Sequence, residues 1–167
     1  MTDLKVISEM LSELQLDKMN NEESTKRYLF VCTGNTCRSP MAEAVFNKLY
    51  KDSGIVAESC GLMAGGAPLS ENARLALEEI GIFDFHHISR QISEELLFSA
   101  DLIIGMTGEH AARLMMAFPA YATKITVMPL EIEDPYGGDL EIYKICLSQI
   151  CEALSIGFSE NYEDENN

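Results

Sequence analysis

The chain is short of basic residues, has no long apolar run and contains no CxxC pair. Each shortage removes a class of function. Only 12 lysines and arginines stand against 27 acidic residues, a formal net charge of −15. Nucleic acid and anionic membrane both demand a basic surface, so neither is expected as a partner. A small basic pocket within an acidic surface remains compatible with that balance. No apolar stretch approaches the length of a membrane span, and the acidic first residues do not read as a secretory signal. Five cysteines (32, 37, 60, 146 and 151) make an odd number, so reduced thiols in a cytoplasmic protein are expected rather than a disulfide framework. His86 and His87 are adjacent, cannot both face one metal, and have no cysteine pair near them; no metal and no cofactor is expected. No internal repeat or low-complexity segment occurs, and nothing in the sequence marks an oligomeric state.

What is present is globular. The 167 residues, 47% hydrophobic and 23% charged, suit one domain with a real core. Residues 1–26 stand apart as an N-terminal extension. Leu4, Ile7, Leu11 and Leu14 recur at helical spacing, and the polar run 20–26 reads as a linker. The domain is expected over 27–158, followed by an acidic tail at 159–167. YLFVC (28–32) reads as a first strand, leading through a Gly-containing loop into a helix with Pro40 in its first turn. IVAESC (55–60) reads as a second strand and GLMAGGAP (61–68) as a mobile loop. A helix from about Ser70 is stopped by Gly81. Ser93–Leu97 reads as a short capped helix and 100–106 as a buried parallel strand. A helix spans about 108–118, KITVM (124–128) is a fourth strand, and a last helix follows the loop 129–138. Strands alternating with helices predict an α/β fold: an open sheet of about four parallel strands, three-layered, with helices on both faces. In such sheets ligands bind at the carboxyl ends of strands. The loop after Cys32 occupies that position.

Three chemical demands meet in CTGNTCRS (32–39). A phosphate needs several inward-pointing backbone N–H groups. A strand-to-helix turn through Thr33, Gly34, Asn35, Thr36 and Cys37 supplies them at a helix N-terminus. It benefits from a bidentate guanidinium, and Arg38 opens the following helix. Covalent catalysis needs a thiolate, and Cys32 at the strand end lies in that positive field, so its pKa is expected to fall. Ser39 can donate a hydrogen bond to the sulfur. Asn35 is expected to brace the loop through backbone hydrogen bonds. A cysteine ending a strand is ordinarily a small buried hydrophobe, but Cys, Gly, Asn, Arg and Ser at these spacings do not coincide by accident. The segment lacks the GxxxxGK[ST] spacing of a nucleotide P-loop.

VCTGNTCRSPMAEAVF (31–46) resembles the signature of the low-molecular-weight cysteine phosphatases. Further matches follow in order: ESCG (58–61), HHISRQISEELL (86–97), ADLIIGMT (100–107) and EDPYGG (133–138). Cys60 departs from the family's usual alanine. The resemblance implies a phosphocysteine mechanism acting on a phosphorylated protein or peptide, with Asp134 of the Asp-Pro pair as general acid and Tyr136 as a wall of the entrance. It also implies an oxidation-sensitive pair, Cys32 and Cys37. Asp101 and Glu43 read as structural or solvent-facing, Asp139 as the N-cap of the last helix, and Cys146 and Cys151 as core thiols.

Thr36 bears on the substrate. Tyrosine phosphatases of the family commonly carry a branched aliphatic residue there. The bacterial protein-arginine phosphatases resemble this chain in the threonine and in an Asp-Pro-aromatic-Gly-Gly run like Asp134–Gly138. A hydroxyl at the pocket wall suits a guanidinium better than a phenyl ring, so phosphoarginine is favoured over phosphotyrosine. Three rival readings fit the sequence less well. An arsenate reductase would need relay cysteines near 100–106, where none stands. A phosphocarrier would leave Arg38 and Asp134 without a purpose. A non-catalytic binding module using residues 1–20 would be indifferent to Cys32→Ser.

Overall fold

In the computed structural model, which describes residues 8–9 and 25–158, four strands form one parallel sheet in the order β2-β1-β3-β4. The expected N-terminal helix and the acidic tail fall outside the described residues, apart from Ser8 and Glu9, which are helical. β1 (Lys26–Cys32) is central, pairing with β2 (Ile55–Gly61) on one side and β3 (Leu102–Gly105) on the other. β4 (Ile125–Val127) completes the far edge. Among the described residues no helix is long and apolar enough to cross a membrane.

The apolar run YLFVC is buried on both faces because alternate side chains serve different cores. Tyr28, Phe30 and Cys32 point to a layer built by α1 (Arg38–Leu49), α2 (Glu71–Glu79) and α5 (Leu140–Phe158). Leu29 and Val31 point to the other, built by α3 (Glu94–Ser99) and α4 (Gly108–Ala117). In the first layer Phe46 packs against Tyr28, Phe30, Tyr50 and Phe158 with ring centroids 4.6–5.9 Å apart. This is the three-layer α/β sheet that the sequence predicts.

Local chemistry sets the element ends. Ser70 caps α2 by accepting the Ala73 N–H at 3.2 Å, and Gly81 beyond its end takes φ 83°, which an L-residue adopts only with strain. Asp139 accepts the Ile142 N–H at 3.1 Å, the expected N-cap bond of α5. The run 100–106 is strand only over 102–105, because Ala100 closes α3 with its N–H on Leu96 and Asp101 clamps Arg27. The 124–128 run shortens likewise: Lys124 ends a 3₁₀ turn and its Nζ is held by the carbonyls of Leu97, Phe98 and Ala100.

The segment 61–68 is not the free loop its glycines suggest. Leu62 and Met63 N–H groups bond the carbonyls of Cys32 and Thr33, Ala64 N–H bonds Gln91, and Ala67 N–H bonds Ser89 Oγ. Gly61 is required by proximity: a Cβ there would stand 2.6 Å from the Thr33 carbonyl oxygen. The loop therefore backs the turn that follows β1.

Candidate active site

At the carboxyl end of β1 the chain path changes direction, with β2 reached to one side and β3 to the other, so the loop 33–37 opens into a crevice. α1 begins at Arg38 with no acidic residue in its first turn, and Cys37 at its N-cap offers no side-chain bond. Apart from the Asn35 and Ser39 N–H groups, which serve Cys32 Sγ, the first helix N–H groups and the loop amides face an anion site. A pocket of about 240 Å³ is lined by Cys32, Thr33, Gly34, Asn35, Thr36, Cys37, Arg38, Asp134 and Tyr136. Ser39 lies behind it, fully buried. Every site residue named from sequence is thus in the pocket or directly beneath it.

Asn35 holds the turn. It is fully buried, with φ 55° in the left-handed region that asparagine tolerates. Its Nδ2 donates to Ser39 Oγ (2.9 Å) and Ser59 Oγ (3.0 Å), and its Oδ1 accepts the Arg90 backbone N–H (3.0 Å). The Arg90 contact fixes which way the amide points. His87 Nε2 donates to the Asn35 carbonyl at 2.8 Å, and Ser59 passes its hydrogen to Glu43 at 2.5 Å. Bracing by Asn35 was expected, but to the backbone alone. Glu43, read from sequence as structural or solvent-facing, is structural here. Ser59, His87 and Arg90 as supports had no local signal, although all three lie within the matching segments.

Cys32 is 3% exposed. Ser39 Oγ lies 2.8 Å from its Sγ, and the Asn35 N–H donates to the sulfur at 3.3 Å. The expected fall in its pKa is reversed. Burial pushes the Cys32 thiol up, outweighing the Ser39 hydroxyl, the backbone N–H groups of Ser39 and Asn35, and the Arg38 guanidinium, which all pull it down. The sequence displayed the positive field but not the depth at which the sulfur sits.

Arg38 is buried, its Nη1 donating to the Ile132 carbonyl at 3.2 Å and its Nη2 standing 3.4 Å from Asp134 Oδ2. The Asp134 side chain is 57% exposed, and its Oδ1 accepts the Tyr136 N–H at 3.1 Å. The turn beyond it closes through Gly138 N–H to the Pro135 carbonyl at 2.9 Å. Three further ties hold this loop: Asn72 to the Gly138 carbonyl, Glu133 N–H to Gln149, and Cys146 Sγ to the Glu133 carbonyl. Tyr136, 81% exposed, stands at the rim. Thr36 Oγ1 approaches Cys37 Sγ at 3.6 Å, and that sulfur lies 3.3 Å from the Tyr143 hydroxyl. Burial, aided by Cys37, pushes Tyr143 up to about 12. Cys146 is buried and Cys151 half-buried. Among the described residues no cluster of His, Cys, Asp or Glu could hold a metal ion.

Residues 27–165 match the family model described as low molecular weight phosphotyrosine protein phosphatase. The chain is 33% identical over 138 residues to a protein-arginine-phosphatase of Bacillus subtilis, covering 75% of this chain and 90% of that one. It is 32% identical over 152 residues to a low molecular weight protein-tyrosine-phosphatase of Streptomyces coelicolor, covering 80% and 91% respectively. A solved structure of the YwlE arginine phosphatase, a cysteine-to-serine mutant with a phosphorylated active-site serine, superposes with a TM-score of 0.72 at 35% identity, covering 77% of this chain and 90% of that one.

Proposed function

The chain belongs to the low-molecular-weight phosphotyrosine protein phosphatase family, and we propose that within it this enzyme removes phosphate from arginine side chains. It is a cysteine-dependent protein phosphatase; the proposal concerns the substrate and the role of each residue. The observation that carries the substrate reading is Thr36, a hydroxyl-bearing side chain in the wall of the pocket that also holds Cys32, Arg38 and Asp134. A guanidinium N–H can donate to that oxygen, whereas a phenyl ring adds nothing to its contact with Cys37 Sγ at 3.6 Å. Gly137 has no side chain to narrow the rim, and the arginine-phosphatase relative supports the same reading. The exposed ring of Tyr136 favours the second reading, a tyrosine phosphatase with the same mechanism, since it could stack on a substrate ring.

The roles follow from the pocket. Phosphate oxygens take the loop N–H groups and the Arg38 guanidinium. Cys32 Sγ, as thiolate, attacks phosphorus while the bond to the leaving guanidino nitrogen breaks. The Asp134 carboxyl gives that nitrogen its proton. Water then attacks the phosphocysteine, Asp134 as carboxylate takes the water's proton, and inorganic phosphate leaves with the thiolate restored. Arg38 Nη2 stands 3.4 Å from Asp134 Oδ2, so the carboxyl that exchanges these protons lies beside the guanidinium that binds the phosphate. The substrate is a phosphorylated protein or peptide, nucleic acid and membrane are not partners, and the setting is cytoplasmic.

The test compares kcat/KM on matched phosphoarginine and phosphotyrosine peptides in wild type and in Thr36→Ile. Wild type should prefer phosphoarginine, and Thr36→Ile should move the ratio toward phosphotyrosine by roughly tenfold or more. A wild type that prefers phosphotyrosine would overturn the arginine reading and leave the phosphatase chemistry standing, and a ratio unchanged in Thr36→Ile would remove Thr36 as its support.

A further inference from the structure

One buried ionisable side chain touches the phosphate loop without a part in the chemistry above. His110 lies in the first turn of α4 and is 5% exposed. Its Nε2 is 3.0 Å from the Oγ1 of Thr33, the residue directly after Cys32, and its Nδ1 is 2.9 Å from Thr107 Oγ1. The proton positions follow from counting donors. Thr107 Oγ1 already accepts the His110 backbone N–H at 3.3 Å as the helix cap. Its own hydrogen has Nδ1 in reach, and Thr107 is buried, so that hydrogen goes to Nδ1. The ring proton therefore sits on Nε2 and is donated to Thr33.

We infer that His110 is a positioning residue of the phosphate loop: its Nε2–H, oriented by the Thr107 hydroxyl, pins the Thr33 side chain and so the first peptide after Cys32. The Thr33 carbonyl is held by the Met63 N–H at 2.8 Å. Side chain and backbone of one residue are thus anchored to a helix and to a loop, which is the preorganisation a rigid anion cradle needs. Thr33 also keeps its hydroxyl hydrogen for an acceptor other than His110. The arrangement requires a neutral ring. Burial, first, then Arg38 and Arg113 keep His110 down at about 4 against the opposing pull of Glu109 and Asp134, so the ring is uncharged at neutral pH.

The inference rests on the phosphatase chemistry but not on the choice of arginine, so p-nitrophenyl phosphate serves as substrate and inorganic phosphate as competitive ligand. Thr33→Val and His110→Leu should each lower kcat/KM and raise the phosphate inhibition constant by roughly tenfold, the worth of one hydrogen bond. The double variant should lose no more than the worse single one, and Thr33→Ser should restore wild-type values. Additive losses, or a lowered Tm with kinetics unchanged, would overturn the inference. Imidazole ¹⁵N shifts of the wild-type chain give a test independent of any variant's folding: His110 should be neutral and protonated on Nε2 at pH 7. A charged ring or the Nδ1 tautomer overturns it.

Discussion

Removing the Ser39 hydroxyl tests the least expected property of the site, a nucleophile whose burial opposes its own ionisation. Ser39 has a single hydrogen and two acceptors in reach, Cys32 Sγ at 2.8 Å and the Cys60 carbonyl at 3.4 Å. With the thiol protonated, S–H can donate to Oγ and the hydroxyl can turn to the carbonyl. With the thiolate, the hydroxyl turns to sulfur. The bond therefore strengthens on ionisation, and a hydrogen bond to a charged acceptor in a buried site is worth about 1.5–3 kcal/mol. Ser39→Ala should cut the thiolate population at a fixed neutral pH by roughly ten- to a hundredfold. The rate of Cys32 alkylation by iodoacetamide, read by mass spectrometry, reports that population, and its pH profile should move to higher pH. Turnover of p-nitrophenyl phosphate at pH 7 should fall by a similar factor. Asn35 keeps Ser59 and Arg90 as partners in the variant, so the loop persists. An alkylation rate within about threefold of wild type would refute the reasoning, since even the weakest charged bond exceeds that.

Three further predictions address the rest of the site and its frame. Asp134→Ala should slow phenyl phosphate by about 10²–10⁴, the usual worth of a general acid, and p-nitrophenyl phosphate much less; equal losses in steady-state kinetics would remove Asp134 from the acid role. Asn35→Gly strands the Arg90 N–H and should cost about 1–3 kcal/mol in urea unfolding, while Asn35→Ala should cost about 1 kcal/mol more because of the positive φ; a glycine variant as stable as wild type would deny Asn35 its bracing role. Burial pushes both Cys60 and Cys146 up to about 12 from the ordinary 9.0. Between those values the native state holds protons that the unfolded state has lost, so stability is intact below about pH 9 and falls as pH rises, by up to about 1.4 kcal/mol per pH unit for each thiol. Cys60→Ala or Cys146→Ala should flatten that slope in urea titrations at pH 9–11, and an unchanged slope would count against it.

What could be read from the sequence and what could not divide along chain separation. The nucleophile, the amide turn, Arg38 and Ser39 lie within eight consecutive residues, and a strand followed by a helix leaves such a segment little freedom. Its chemistry was therefore visible in order. Asp134 was reachable only through a second segment resembling the family's, and Thr36 was conspicuous as a polar residue where an aliphatic one is common. The supports of the loop were not visible. Asn35 reaches Ser59, His87 and Arg90 across 24, 52 and 55 residues of sequence, and His110 reaches Thr33 across 77. No local pattern marks a serine or histidine that will be a hydrogen-bond partner at that range.

The two misjudged features share one cause. The glycines of 61–68 suggested freedom, and the positive field around Cys32 suggested an easily ionised thiol. Both inferences took a local property for the whole environment. The first is tethered to the phosphate loop through the Cys32 and Thr33 carbonyls, and to the 86–92 segment through Gln91 and Ser89. The sulfur is enclosed by the turn itself: Cys32 is buried, with Ser39 Oγ and the Asn35 N–H against Sγ. A rigid cradle for phosphate requires close support beneath it, and close support buries the nucleophile. The Ser39 hydroxyl and the Asn35 N–H, both directed at Sγ, are the fold's local answer to a cost that its own rigidity creates.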